Sequence, residues 1–136
     1  MENDIIETEQ FGVHFMLDGY GASAEMLKDK EKLAKMLVDI PVSMGMHTIS
    51  EPTVVEVGPK NRKDPGGLSG FVLIAESHIS FHTFPARGFV TIDVFTCQNE
   101  MDNINLTDLF TQAFQIKRAD TFVQKRGMNY PTENIL

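Results

Sequence analysis

Two β-rich runs separated by polar residues constrain this chain more than any other feature of its sequence. The first run, residues 71–75, is wholly apolar, and the second, residues 89–95, is rich in aromatic and β-branched side chains. Between them the tripeptide Glu-Ser-His at 76–78 stands where a strand ought to continue with core residues. The only cysteine, Cys97, follows the second run. The sequence therefore predicts that a hydroxyl, an imidazole and a thiol are presented on adjacent strands.

The length and composition favour one globular domain. At 136 residues the chain can bury one core but not two, so residues 1–136 are predicted to form a single domain. No window approaches the roughly 18 apolar residues of a membrane span, and the acidic residues 1–10 do not resemble a signal peptide. A lone cysteine suits a reducing compartment, so we expect a cytoplasmic protein. The net charge of −7 argues against nucleic-acid binding.

The hydrophobic pattern predicts strands and helices in the order βαββββαβ. Because most neighbouring strands are joined by short turns, we expect a two-layer α/β sandwich of the α+β type, with a mainly antiparallel sheet and both helices on one face. Residues 1–10 are expected to be a mobile arm or an added edge strand. The predicted segments are strands at 11–17, 53–57 and 121–124, central strands within 69–97, a turn at 18–21, and helices from Ser23 to Pro41 and at 102–117.

Several residues around the polar stretch are spaced as in one known family. The run Ala-Glu-Ser-His at 75–78 is followed by His82-Thr83, by Pro85 and by the run 93–97, with Ser69 upstream. This pattern resembles the prokaryotic S-adenosylmethionine decarboxylase proenzymes, and the likeness extends from about residue 11 to residue 97. It implies a pyruvoyl-dependent carboxy-lyase that processes itself and serves polyamine (spermidine) biosynthesis.

The resemblance implies a cut between Glu76 and Ser77. Ser77 Oγ attacks the Glu76 carbonyl, the amide becomes an ester, and removal of the Ser77 α-proton expels the Glu76 carboxylate. Hydrolysis of the resulting dehydroalanine releases ammonia and leaves a pyruvoyl group at position 77. The products are a β chain, residues 1–76, and an α chain, residues 77–136. The pyruvoyl carbonyl forms a Schiff base with the substrate and supplies the electron sink that decarboxylation needs.

Four further side chains receive roles from the same resemblance. Ser69 matches the family's processing serine, and His82 matches its processing histidine, whose imidazole suits removal of the α-proton. Cys97 matches the cysteine that protonates Cα after CO₂ leaves, and Asp18 is expected to face the substrate. The backbone at the cleaved bond is expected to be strained. Because strict alternation places Ser77 and His82 on opposite faces, the prediction requires a bulge or a strand break at that bond.

Two positions differ from the family where the substrate would bind. The family commonly has a glutamate that binds the ribose after His-Thr-aromatic-Pro, and this chain has Ala86 and then Arg87. The family's adenine-stacking phenylalanine corresponds to Lys63, although Phe84 or Phe11 could stack instead. The substrate is predicted to be S-adenosylmethionine because the sequence resembles that family most, and the two differences leave arginine or ornithine as the alternative for the same chemistry.

The expected partner is a second copy of the chain. A sheet covered by helices on one side needs cover on the other, and the resemblance implies that two processed protomers pair and build active sites at their interface. A different hypothesis is a pseudoenzyme that never cleaves itself and acts as a regulatory partner.

The histidines raise the question of a metal site. His78 and His82 share a strand face and could bind a metal together with Cys97, but no fourth ligand is suitably spaced. We therefore expect no metal. His14 and His47 lie far away in the sequence and are predicted to be structural.

Overall fold

The computed structural model describes residues 10–136, and this part of the chain forms six strands and three α-helices. Their order confirms the predicted one, except that the first helix is divided in two. Apart from Gln10, the arm or edge strand predicted at residues 1–10 lies outside the described residues. The strands are β1 (Gly12–Tyr20), β2 (Thr53–Val57), β3 (Gly67–Ile74), β4 (Ser77–Phe84), β5 (Phe89–Thr96) and β6 (Arg118–Arg126), and the helices are α1 (Ala24–Leu27), α2 (Lys30–Ser43) and α3 (Asn103–Phe114).

The strands form one sheet in which every neighbouring pair is antiparallel. Their spatial order is β2-β3-β4-β5-β1-β6, so the first strand of the chain lies between the fifth and the sixth. Side chains alternate between the two faces along each strand. One face packs against the helices, and we call the other the open face. The open face carries His14, Met16, Asp18, Tyr20, Val55, Ser69, Phe71, Leu73, His78, Ser80, His82, Phe84, Phe89, Thr91, Asp93, Phe95, Asp120 and Phe122.

The helix-facing side of the sheet contains the core. Phe15 of β1 stacks on Phe110 of α3 with ring centroids 6.4 Å apart, and Phe81 of β4 meets Phe114 of α3 edge-on at 6.0 Å. All four rings are fully buried. Since α2 adds its own buried apolar stripe to the same cluster, the two-layer sandwich with helices on one face is confirmed.

The single helix predicted from Ser23 to Pro41 is wrong, because the chain forms two helices there. Ser23 caps α1, as expected, but the carboxylate of Asp29 then accepts a hydrogen bond of 3.1 Å from the Lys32 amide and begins α2. Pro41 does not end the helix; it lies in the last turn of α2, which continues to Ser43. Because the helix ends two residues later, the proline disturbs only its final turn.

Two strands are longer than predicted, and the last helix is shorter. β1 continues through the predicted turn at 18–21 as far as Tyr20, because it pairs on both sides with β5 and β6. β6 likewise extends beyond the predicted residues 121–124. The helix predicted at 102–117 ends at Phe114, since Gln115 adopts a left-handed backbone with φ 55° and closes it.

A two-residue reversal at Ala75 and Glu76 joins β3 to β4. Ile74 pairs with Ser77, so the strands continue directly on either side of the turn. Glu76 has φ 55°, a left-handed conformation that residues with a Cβ atom seldom adopt. Such a conformation is unfavourable by about 1–2 kcal/mol. Backbone strain, which is expected at the bond between Glu76 and Ser77, is therefore present immediately before that bond.

Gly70 provides a test of the core packing. A Cβ atom added at Gly70 would lie 2.6 Å from the buried ring of Phe81, whereas one added at Gly58 would meet nothing within 4 Å. We expect Gly70→Ala to lower the free energy of unfolding by about 1–3 kcal/mol, because the ring must move in a close-packed core. Urea denaturation measures this change. Gly58→Ala is the control, and equal urea midpoints for the two variants would contradict the described packing.

Candidate active site

A serine and a histidine face each other across two strands of the open face. Ser69 of β3 pairs with His82 of β4, and Ser69 Oγ and His82 Nδ1 share a hydrogen bond of 2.7 Å. Both side chains are accessible from the open face, with Ser69 half-buried and His82 exposed. A hydroxyl held against an imidazole can give up or receive a proton, as general acid–base chemistry requires. Ser69 and His82, two of the four residues predicted for processing, are thus brought together.

Ser77 lies in a different environment. It is the first residue of β4, its side chain faces the helices, and it is 5% exposed. Its Oγ accepts a hydrogen bond of 3.2 Å from the backbone amide of Cys97. The preceding residues Ala75 and Glu76 are exposed, so the peptide bond between Glu76 and Ser77 can be approached although the hydroxyl is buried. The contact with Cys97 is made by its main chain, and the half-buried thiol is left free.

Within one protomer, the Ser69–His82 pair and Ser77 are far apart. Ser77 and His82 are five residues apart on one regular strand, which corresponds to roughly 17 Å at about 3.3 Å per residue. They also face opposite sides of the sheet, and β4 pairs with both neighbours without a bulge. The predicted bulge is therefore absent from β4, and the alternative, a strand break, lies in the turn before Ser77 and leaves Ser77 and His82 on opposite faces.

The Ser69–His82 pair belongs to a polar row that crosses the open face. The pairing of the strands places Thr91 of β5 beside His82, and Asp18 of β1 beside Thr91. Asp18 is therefore roughly 10 Å from His82, at about 4.8 Å per strand. Among residues 10–136 its carboxylate has no hydrogen-bond or ion-pair partner, and it lies opposite Asp120, which is bound by Arg118 at 3.1 Å. This row presents the His82 imidazole and the unpaired Asp18 carboxylate to the space in front of the open face.

A cavity of about 600 Å³ lies next to the polar row. Its aromatic wall comes from three strands: the rings of Phe84 and Phe89 are 5.8 Å apart, and those of Tyr20 and Phe89 are 5.3 Å apart. Such a volume and such rings suit an organic ligand with a flat group. The residues that line the cavity are Tyr20, Lys60, Asn61, Lys63, Asp64, Phe84, Arg87 and Phe89.

Sequence reasoning found part of this cavity. Phe84 and Lys63, both named from the sequence as positions at the substrate, line it, whereas Ala86 lines a separate cavity. Phe11, the other proposed stacking residue, lies elsewhere, against Phe95 at 6.2 Å. Tyr20 and Phe89 were missed: Phe89 pairs with Phe84 across the short turn between β4 and β5, and the order of the strands places Tyr20 beside Phe89. The aromatic character of the run 89–95 was visible, but not the face on which Phe89 would lie.

The other histidines lie in separate surroundings. His14 Nε2 lies 2.9 Å from Asp93 Oδ1, and this pair is half-buried between neighbouring strands. His78 packs against the ring of Phe95, and His47 is exposed. Over the described part of the chain, no three His, Cys, Asp or Glu side chains are grouped so that they could hold a metal ion. In the same range no helix is long and apolar enough to cross a membrane.

A family profile and individual known proteins match most of this chain. The sequence profile of the S-adenosylmethionine decarboxylase family matches residues 13–127. The S-adenosylmethionine decarboxylase proenzyme of Clostridium kluyveri is 32% identical over 119 residues, which cover 88% of this chain and 89% of that protein. The proenzyme of Pyrococcus furiosus is 29% identical over 120 residues, which cover 88% of this chain and 81% of that protein.

A solved structure is similar over almost the whole chain. The crystal structure of the adenosylmethionine decarboxylase from Aquifex aeolicus has a TM-score of 0.75 at 29% identity, and the match covers 92% of this chain and 98% of that one. The likeness therefore extends from the sequence to the arrangement of the sheet and helices. The chain belongs to the S-adenosylmethionine decarboxylase family, a family of self-cleaving, pyruvoyl-dependent decarboxylases.

Proposed function

We propose that this chain cuts itself between Glu76 and Ser77 and then decarboxylates S-adenosylmethionine, giving the aminopropyl donor of polyamine (spermidine) synthesis in the cytoplasm. The observation that carries the proposal is the turn at the bond to be cut. Glu76 is left-handed and exposed, and the hydroxyl of Ser77 is buried and held by an amide. A strained peptide bond beside a fixed nucleophile is the arrangement that self-cleavage requires.

Maturation is assigned to this chain's own residues. Ser77 Oγ attacks the Glu76 carbonyl carbon, and the peptide C–N bond breaks as the ester forms. The Cys97 amide, which donates to Ser77 Oγ at 3.2 Å, restrains the nucleophile through the main chain. A base then removes the Ser77 α-proton, and the Glu76 carboxylate leaves. Addition of water and loss of ammonia convert residue 77 into the pyruvoyl group. Position 77 fits this group, because the turn that precedes it is exposed to water.

The Ser69–His82 pair acts on the Ser77 of a second protomer. In its own protomer the pair is roughly 17 Å away, at about 3.3 Å per residue along β4. The open face exposes large apolar side chains, with Val55 at 51%, Phe71 at 44% and Leu73 at 45%. Contiguous exposed apolar surface of this kind is typical of an interaction site. A homodimer that joins the two open faces buries this surface and can bring the pair of one protomer to the cleavage turn of the other.

In the mature enzyme, the pyruvoyl carbonyl supplies the electron sink for the charge that decarboxylation leaves on Cα. The Cys97 thiol is near residue 77 along the sheet and is free of hydrogen bonds from the described side chains, so it is the group assigned to return a proton to Cα. Asp18 carries an unpaired carboxylate on the open face, and it is assigned to the positive charge of the substrate.

The cavity favours a nucleoside over a small cationic amino acid. Phe84, Phe89 and Tyr20 provide aromatic surface on which adenine can stack, although the family's usual stacking position is Lys63. Its lining carries Lys60, Lys63 and Arg87 against one carboxylate, Asp64, and this excess of positive charge opposes the distal charge of arginine or ornithine. Arginine or ornithine is the second candidate, because the ribose-binding glutamate position is Ala86.

Self-cleavage can be tested directly by mass. After incubation, denaturing mass spectrometry should show wild-type fragments separated between Glu76 and residue 77, and the C-terminal fragment should react with phenylhydrazine. Ser77→Ala should remain a single chain of 15.3 kDa, because it lacks the nucleophile. Ser80→Ala, which changes another serine of β4, is the control and should be cut normally. A wild-type chain that stays intact would instead support the regulatory pseudoenzyme.

Complementation tests whether the Ser69–His82 pair acts across the dimer. Ser77→Ala and His82→Ala should each fail to cleave alone, since one lacks the nucleophile and the other the base. When the two variants are refolded together, mixed dimers contain an intact Ser77 in one chain and an intact His82 in the other. We expect His82→Ala chains to be cut in the mixture and Ser77→Ala chains to stay whole. If mass spectrometry finds neither chain cut, the pair does not act across the interface.

The aromatic wall can be tested with alternative substrates. Release of CO₂ should be measured with S-adenosylmethionine, arginine and ornithine side by side. Phe84→Leu should lower kcat/KM for S-adenosylmethionine by about tenfold, because base–aromatic stacking contributes about 1–3 kcal/mol. Tyr130→Leu, an exposed aromatic change outside the sheet, is the control and should leave kcat/KM near that of the wild type. Turnover of an amino acid, with none of S-adenosylmethionine, would overturn the assignment of the nucleoside.

A further inference from the structure

Thr83 is a buried polar residue that the proposed mechanism does not use. It follows His82 on β4, but its side chain faces the helices and is 1% exposed. Its Oγ1 donates a hydrogen bond of 2.8 Å to the Leu27 carbonyl and accepts one of 3.0 Å from the Leu68 amide. A single hydroxyl therefore joins three segments of the chain: the end of α1, the start of β3 and the end of β4.

These hydrogen bonds lie where the pairing of β3 with β4 ends. The paired residues run from Ile74 and Ser77 to Ser69 and His82, and Leu68 lies one residue beyond them. The two main chains are pressed together here, since a Cβ atom on Gly67 would lie 1.8 Å from the Thr83 carbonyl oxygen. The hydroxyl of Thr83 therefore holds the start of β3 against β4 at the last position before the strands separate.

The Leu27 carbonyl, which accepts the hydrogen bond from Thr83, attaches the start of β3 and the end of β4 to the helix layer. Leu27 is the last residue of α1 and is fully buried. A carbonyl at the end of a helix has no partner within the helix and must find one elsewhere. Thr83 provides that partner, so the end of α1 and the adjoining strands are held in one position. Removing the hydroxyl would leave a buried carbonyl and a buried amide unpaired, and such groups move to find new partners.

We infer that Thr83 is a positioning residue for the Ser69–His82 pair. Leu68 is the neighbour of Ser69, and Thr83 is the neighbour of His82, so the hydroxyl joins from the helix side the two strands whose side chains meet at 2.7 Å on the open face. The inference deepens the proposed role of that pair in self-cleavage and rests on it. A displacement of about 1 Å in a reacting group can slow a reaction by about a hundredfold.

Two substitutions separate the hydroxyl of Thr83 from its shape. Thr83→Val keeps the branched shape and loses both hydrogen bonds, whereas Thr83→Ser keeps the hydroxyl. Self-cleavage is started by dilution from denaturant and followed by denaturing mass spectrometry. We expect Thr83→Val to cleave about ten- to a hundredfold more slowly than the wild type. Thr83→Ser should recover most of the rate. If Thr83→Val fails to fold, the rate of self-cleavage of Thr83→Ser becomes the test. A Thr83→Ser chain that cleaves as slowly as Ser69→Ala would overturn the inference.

A spectroscopic measurement distinguishes positioning from a general loss of stability. In a Ser77→Ala background, which stays uncut, the ¹⁵N resonances of the His82 imidazole report its hydrogen bond with Ser69. Thr83→Val should move these resonances towards those of Ser69→Ala, and Thr83→Ser should not. Thr96→Val is the matched control, because Thr96 is also a buried threonine with a hydrogen-bonded hydroxyl, but on β5. Its effect on the His82 resonances should be small.

The outcomes bear separately on the inference and on the proposed function. A Thr83→Val chain that cleaves at the wild-type rate, with wild-type His82 resonances, would overturn the inference and leave self-cleavage intact. A wild-type chain that never cleaves would contradict the proposed function, while the His82 resonances in the uncut background would still show whether Thr83 positions the pair.

Discussion

The tight reversal between β3 and β4 is the constraint on which the rest of the site depends. Pairing of Ile74 with Ser77 fixes the register, and the alternation of side chains then sends Ser77 towards the helices and His82 towards the open face. A slip of one residue would exchange the two faces. The same register aligns Ser69 with His82 and continues the polar row towards Asp18. The chemistry of the sheet is thus divided between its faces by one turn.

Much of this arrangement could be predicted from the sequence, because it is encoded locally. Runs of β-branched residues and turn residues indicated the order of the strands along the chain, and the Glu-Ser-His motif suggested, through the family resemblance, the cleavage site that is proposed here. The division of the first helix was missed, because the apolar stripe continues past Asp29, and only the capping hydrogen bond made by its side chain reveals the break. Whether the pair and Ser77 come together was also beyond the sequence, since that depends on how protomers meet.

The aromatic cavity shows why substitutions in a motif are hard to interpret in sequence alone. From the sequence, Lys63 and Ala86 represent the loss of a stacking ring and of a carboxylate. The fold adds aromatic surface from Tyr20, Phe84 and Phe89, which belong to three strands and adjoin only because β5 lies between β4 and β1. The aromatic surface can therefore hold a flat group despite the change at position 63, whereas under the proposed function the ribose must be bound by groups other than a glutamate at position 86.

The strand order has a consequence for the two pieces that self-cleavage would produce. A cut after Glu76 leaves β1, β2 and β3 on the N-terminal piece and β4, β5 and β6 on the C-terminal piece. Because β1 lies between β5 and β6, strands of the N-terminal piece and strands of the C-terminal piece alternate within the sheet. They cannot come apart unless several ladders of hydrogen bonds break together. The severed molecule would therefore keep its shape, and the new end at residue 77 would gain freedom without loosening the sheet.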